Sequence, residues 1–419
     1  MRRLAPDRLW YVSEAVGQLG TRVTFTIAAV YFVADVGMSP FELVLTGTAY
    51  ELTYFLFEVP TAVLADTYSR RASVVLGTLL TGLAFVLIAL APTVPLILGA
   101  TAFMGLGQTF TSGAFDAWLA DEVGLERVGR VYQRGAQLRR AGALAGIVIG
   151  VALATVDLRL AIVCGGVVVI GLGLFLALAM PETAFVRREG ARSEAMWSGA
   201  RDGVRLVCAR PLLLLVLGIT VFAGAHQEVL DRLWEAHFLV DIGLPGLGEL
   251  DPVAWFGIFN AGSLLLALAV AGPLARRLQD ASQETVARAL LALDVVLIAG
   301  TVVFALAGSL PLALGAFWLV WVVRSLAQPT FSTWLNRNID DSRVRATVIS
   351  LANQTHSVGE WAGGPALGAL GSAFSIRVAL AASAACLAPA VALYARAVRH
   401  HGREPELGAL VTAGSGPER

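Results

Sequence analysis

The stretch Pro60-Thr61-Ala62-Val63-Leu64-Ala65-Asp66-Thr67-Tyr68-Ser69-Arg70-Arg71 decides how the rest of the sequence is read. It is a short polar hairpin between two long apolar runs, Phe41 to Leu64 and Ala72 to Ala91. Each run is close to the ~20 residues an α-helix needs to cross a bilayer. Asp66, Arg70 and Arg71 are thereby placed at a membrane surface, in the tightest kind of loop a polytopic protein has.

The whole composition agrees with that placement. The chain is 57% hydrophobic and 15% charged over 419 residues, against roughly 45–50% and ~25% for a soluble globular chain. Its apolar residues come in long blocks, as spanning helices require where no water can satisfy backbone groups, and no block alternates like a barrel strand. All 31 basic residues are arginines, and the formal net charge is zero, so the distribution of charge must carry the information. Cys164, Cys208 and Cys386 show no ligand or disulfide spacing and read as small packing residues, with no metal site. Arg2, Arg3 and Arg8 precede the first apolar stretch, but no small-residue cleavage site follows, so that stretch is expected to be a retained helix.

Hydropathy and helix breakers predict an all-α membrane protein of twelve transmembrane helices. The spans fall near 9–35, 41–64, 72–91, 95–119, 134–155, 158–180, 211–234, 253–274, 286–307, 310–335, 346–370 and 375–397. An even number puts both termini on one side. Arginine is concentrated on that side, and the other holds only Arg159, Arg232 and Arg377. The positive-inside bias therefore predicts cytoplasmic termini and a cytoplasmic hairpin, in the cell's inner membrane. Four segments follow: a six-helix bundle over 1–181, a connection over 182–210, a second bundle over 211–398, and a disordered tail over 399–419. In the connection, Arg201 and Arg205 interleave with Val204, Leu206 and Val207, the pattern of an amphipathic surface helix. No connection is long enough for a soluble domain, so any function must lie within the bundles.

The two halves look like copies. Phe115-x-x-Trp118-Leu119 near the end of span 4 recurs as Phe331-x-x-Trp334-Leu335 near the end of span 10. Leu64-Ala65 before the opening hairpin has an echo in Leu274-Ala275 before Arg276-Arg277. A parallel repeat of six helices is the arrangement of a two-bundle transporter with its site at the midplane.

Ala62-x-Leu64-Ala65-Asp66-x-x-Ser69-Arg70-Arg71, between spans 2 and 3 of twelve, resembles the G-x-L-a-D-r-x-G-r-r signature of the major facilitator superfamily. Pro181-Glu182-Thr183 at the end of span 6 is similar to that family as well. Here Ala62 and Ser69 stand in place of the two glycines, and Thr67 in place of a basic residue. The resemblance implies alternating access by two bundles, with the hairpin aspartate as a gate latch. The family's drug and proton antiporters often carry a G-P-x-x-G-G element on span 5. Span 5 here has no proline, and a similar element stands on span 11 as Gly359-x-x-x-Gly363-Gly364-Pro365.

A carboxylate at a helix boundary can bind arginine or the N-terminal end of a neighbouring helix in one conformation and release it in another. Asp66 with Arg70 and Arg71 is read as such a latch; the plain alternative is that Asp66 caps span 3 and the arginines anchor the loop to anionic lipid. Charges inside spans are costly and functional by default. Arg22, Glu51, Asp116, Arg324 and Glu360 are therefore the candidates for proton coupling or substrate binding, against a permanent structural ion pair or counter-ion. Glu58, Arg139 and Arg140 are expected to join the hairpin in an inner gate cluster. Glu14 lies near the surface, and His226, Glu228, Asp231 and Arg232 fall on the outer half of span 7, where a gate is an open reading. Asp294 on span 9 has no role in this scheme.

Phe25, Tyr54 and Phe110 are the candidate cavity aromatics. Gly142, Gly146 and Gly150 recur every four residues on span 5 and make a small face for close helix approach. Gly363, Gly364 and Pro365 suggest a kink or hinge in span 11, since proline removes a backbone donor.

No Walker loop follows a strand, so energy is expected from an ion gradient rather than from ATP hydrolysed by this chain. The reading is a secondary active transporter that exports small amphiphilic molecules in exchange for protons. Its expected partners are a small-molecule substrate, protons and the lipid bilayer, with no nucleic acid and no cofactor, acting as a monomer. Nutrient or metabolite uptake, or facilitated diffusion, is the rival within transport, and a non-transporting receptor or scaffold the rival outside it. An intramembrane enzyme using His226 or His356 with Ser112 or Ser357 lacks supporting spacing.

Overall fold

A computed structural model describes residues 4–91, 93–185, 211–246, 252–279, 281–339 and 342–399. The described residues fold into helices without a strand. The amphipathic helix expected within 186–210 and most of the C-terminal tail lie outside them.

Twelve helical spans run in chain order. Span 1 is Pro6–Asp35, span 2 Pro40–Thr67, span 3 Arg70–Leu90, span 4 Val94–Val123, span 5 Leu125–Ala154 and span 6 Leu158–Ala179. Span 7 is Pro211–Ala236 continued by a π-turn His237–Ile242, span 8 Pro252–Gln279, span 9 Gln283–Leu306 and span 10 Leu310–Arg337. Span 11 is Ser342–Val358, a π-turn Gly359–Gly363 and Gly364–Ala373, and span 12 is Ile376–Arg399. Among the described residues, ten of these are long and apolar enough to cross a bilayer. Of the other two, span 2 holds Glu42, Glu51, Glu58 and Asp66, and span 11 begins with the polar sequence of Ser342–Val358 and is divided by its π-turn, so neither presents one long apolar run.

Local sequence sets the ends. Ser39 opens span 2 with a capping box: its hydroxyl and backbone N–H both donate to Glu42, at 2.7 and 2.8 Å, which satisfies donors a helix start leaves free. Asp157 accepts the Leu160 N–H at 2.7 Å to start span 6. Span 4 is interrupted at Ser112-Gly113, where Gly113 has φ +66°, a conformation that costs glycine alone little.

Two boundaries differ from the expectation. Span 5 starts at Leu125 rather than 134, because Glu126, Arg127, Arg130 and Arg134 are good helix formers that hydropathy cannot count. Span 7 runs to Ile242 rather than 234, its end held by Trp234, Phe238, Phe256 and Phe259, whose ring centroids lie 4.5–6.3 Å apart.

By contact the chain divides into two compact units. The first holds spans 1–6 with residues 231–261 and 364–376; the second holds the remainder of the later spans. In the first unit, spans 1 and 5, 3 and 6, and 2 and 4 pack in pairs. Spans 1 and 5 meet through glycine: a Cβ on Gly142 would lie 2.1 Å from the Ala15 carbonyl oxygen, and one on Gly146 2.5 Å from that of Leu19. In the second unit, spans 7 and 11 cross in the same way, with a Cβ on Gly359 falling 2.0 Å from the Val221 carbonyl and one on Gly363 2.6 Å from the Ala225 side chain. The fifth span of each half thus crosses the first span of that half through glycine, as a parallel six-helix repeat requires.

Candidate functional site

The hairpin is tighter than the sequence suggests. Span 2 ends at Thr67 and span 3 begins at Arg70, leaving Tyr68 and Ser69 as the turn. Two arginines therefore sit in the first turn of span 3, the positive end of the helix dipole, where cations are disfavoured. Compensating carboxylates surround them. Arg70 donates to Asp66 at 3.1 Å, to Asp121 of span 4, and to the Ala117 carbonyl at 3.1 Å. Glu182, just beyond span 6, accepts the Arg71 N–H at 3.0 Å and the Ser69 hydroxyl at 2.7 Å. The Ser69 backbone is extended, φ −172°, and its hydroxyl accepts the Ala72 N–H at 2.9 Å. Serine in place of the signature glycine is thus an N-cap that also reaches Glu182.

Span 2 carries a second group. Leu43, Val44 and Gly47 are buried, but Tyr50, Glu51, Tyr54 and Glu58, further along much the same face, are partly accessible. The Tyr50 and Tyr54 rings stack at 6.4 Å between centroids and 17° between planes. The Tyr54 hydroxyl donates to Glu58 at 3.2 Å and shares a 2.8 Å bond with the Ser112 hydroxyl at the break in span 4. Glu51 is close enough to act electrostatically on Tyr54. Lipid would not accept two carboxylates on one accessible face, so this face borders polar space.

Arg22 is partly buried in span 1 against Gly146. The acid within its electrostatic reach is Glu235 of span 7, a residue the sequence reading left outside the membrane. The available signal was spacing: Glu235 follows Glu228 by two helical turns and shares its face. Beyond it, buried His237 binds Asp241 at 2.7 Å within the π-turn.

In the second unit, Glu360 is buried at 7% exposure in the π-turn of span 11 and lies 3.4 Å from His356 Nε2. Such single-turn π segments are frequent at functional sites. The turn ends at Gly363, and α-helix resumes from Gly364 through Pro365. Arg324 lies over the Trp321 ring at 5.1 Å. Glu228 and His226 are buried, with His226 Nδ1 3.3 Å from the Ser383 hydroxyl. Asp294 acts electrostatically on buried Tyr394 of span 12.

Other predicted residues are placed apart from these groups. Arg139 pairs with Glu14 at 3.3 Å rather than with the hairpin, and Arg140 is exposed. Asp116 is exposed in the first turn after the span 4 break, near Glu14. Phe25 packs edge-on against buried Phe85 at 5.5 Å, and Phe110 sits against Gly77 where spans 3 and 4 meet. Gly150 lies 3.1 Å, measured from its ideal Cβ, from the Val23 carbonyl and extends the span 5 contact face.

A twelve-span helical fold with a glycine-crossed repeat, an ion-paired hairpin and carboxylates inside its spans is the architecture of a membrane transporter. The sequence profile of the Major Facilitator Superfamily matches residues 11–359, and the chain belongs to that family. It is 21% identical over 357 residues to the uncharacterized MFS-type transporter YxaM of Bacillus subtilis (strain 168), covering 84% of this chain and 86% of that one. Solved structures show the same fold. The nucleoside transporter NupG superposes with TM-score 0.75 at 12% identity over 94% of this chain and 99% of its own. A bacterial homologue of the human lysosomal transporter Spinster, inward-facing and unoccupied, gives 0.71 at 16% over 94% and 96%. The peptide transporter POT in complex with sulfate gives 0.73 at 13% over 94% of each chain.

Proposed function

We propose that this transporter exports small amphiphilic molecules, with a preference for those bearing a positive charge, in exchange for protons. The observation that carries the reading is the accessible face of span 2. Stacked Tyr50 and Tyr54 offer π surface for an apolar or cationic group, and Glu51 and Glu58 flank them with negative charge. Carboxylates inside a span also serve as proton carriers, because a change of surroundings shifts the balance between their neutral and ionised forms. Glu51 and Glu360 fill that role in this scheme, with Arg22 and Arg324 as the positive groups around the path. The hairpin, the termini and the connection after span 6 face the cytoplasm of the inner membrane. Residues 1–181 and 211–398 act as the two bundles of a monomer.

The test is transport into inverted membrane vesicles under an imposed inside-acid gradient, with ethidium as the cationic probe and fluorescein as the anionic one. Export predicts gradient-driven uptake of ethidium, lost in a Glu51→Gln, Glu360→Gln double variant. No uptake of either dye counts against export, and stronger uptake of fluorescein overturns the charge preference. Full transport by the double variant would sink the coupling assignment.

A further inference from the structure

Residues 181–185, immediately after span 6, are engaged one after another by the hairpin side of spans 3 and 4. Trp118 Nε1 donates to the Pro181 carbonyl at 2.6 Å. Glu182 accepts from Ser69 and Arg71. The Thr183 N–H and hydroxyl and the Ala184 N–H all donate to Glu122, the hydroxyl at 2.6 Å and the Ala184 N–H at 2.9 Å. The Phe185 ring lies 5.9 Å from the Arg70 guanidinium carbon.

We infer that residues 181–185 are a strap that positions Arg70, with Glu122 and Glu182 as its anchors. Three observations support this. The strap supplies the carboxylate at the N-terminus of span 3, where two arginines would otherwise face the positive end of the dipole. It places the Phe185 ring 5.9 Å from the guanidinium carbon of Arg70, whose nitrogens Asp66 and Asp121 hold. Its anchor residues on span 4, Trp118 and Glu122, bracket Asp121 and follow Ala117, the two span 4 partners of Arg70. A displacement of 181–185 therefore reaches the latch through both the Ser69 turn and the Arg70 side chain. On the reading of Asp66 and Arg70 as a latch, the chain leaving the first six spans is in this way an input to it, independent of which substrate is carried.

The test is hydrogen–deuterium exchange of the full chain in lipid nanodiscs, comparing wild type with Glu122→Ala and Glu122→Gln. Loss of the Glu122 bonds should speed exchange of the Thr183 and Ala184 amides by about tenfold, the scale of a charge-assisted hydrogen bond. The strap predicts a parallel rise, about threefold or more, across residues 66–73, with span 6 unchanged. Glu122→Gln retains an acceptor oxygen and should show the smaller rise of the two. A rise confined to 181–185 would show that the strap is held but does not position the latch. A uniform rise that includes span 6 would make Glu122 a residue of global stability. Either result overturns the proposal, as does exchange equal to wild type in Glu122→Ala.

Discussion

The Tyr54 hydroxyl lies 2.8 Å from the Ser112 hydroxyl, joining the polar face of span 2 to the point where span 4 is interrupted. The same hydroxyl reaches Glu58 at 3.2 Å. One phenol thus holds the ring that stacks on Tyr50 and orients a carboxylate. Tyr54→Phe removes both bonds and keeps the ring. Bonds of this kind contribute about 1 kcal/mol each, so a fall in transport rate of roughly five- to thirtyfold is expected if both act in transport, with apolar packing intact. Initial rates of probe uptake in vesicles, alongside a melting curve, measure the two effects separately.

Asp66→Asn is expected to impair transport far more than folding. The pair with Arg70 is only partly shielded from solvent, side-chain exposures being 13% and 31%, and such pairs contribute under about 1 kcal/mol to stability. A thermal midpoint close to wild type with a clear loss of turnover supports the latch. Equal loss of folded protein and activity would return Asp66 to a capping role.

Gly142→Ala should destabilise the protein by about 1–3 kcal/mol, the usual cost of overpacking. The new methyl would meet backbone, the Ala15 carbonyl at 2.1 Å, which cannot swing aside as a side chain does. Gly359→Ala should behave alike against Val221. Gly99→Ala is the control, since nothing lies within 4 Å of its Cβ position, and removing a helical glycine there is expected to be neutral or mildly stabilising. Thermal unfolding in detergent compares the three.

Arg22 and Glu235 are expected to depend on one another. Removing one member of a charge pair largely withdrawn from water leaves the other uncompensated, which is usually costlier than removing both. Arg22→Ala should therefore lower the melting temperature, and adding Glu235→Gln should recover part of it. The double-mutant cycle reads this coupling directly; additive effects would mean the two groups do not interact.

Hydropathy is a local property of the chain, and it was enough to determine the twelve spans, the polar hairpin and the presence of charges inside the membrane. The repeat and the hairpin signature were legible for the same reason: they are patterns within short windows. Sequence also marked Gly142, Gly146 and Gly150 as residues of close approach, because small side chains at helical spacing leave few other uses. Partnership was not legible. Ser69 meets Glu182 across 113 residues of chain, and nothing local to Ser69 distinguishes that bond from a simple cap. Glu235 fell one residue beyond the expected end of span 7, which continues as α-helix to Ala236 and as a π-turn to Ile242. Arg139 was grouped with the hairpin by its position near a span end, yet a helix face decides its partner, and that face meets Glu14. The sequence alone determined that this is a two-fold repeated helical carrier with acids in its spans. Only the tertiary structure decided which charges meet, because helix rotation and crossing are fixed by packing between segments far apart in the chain.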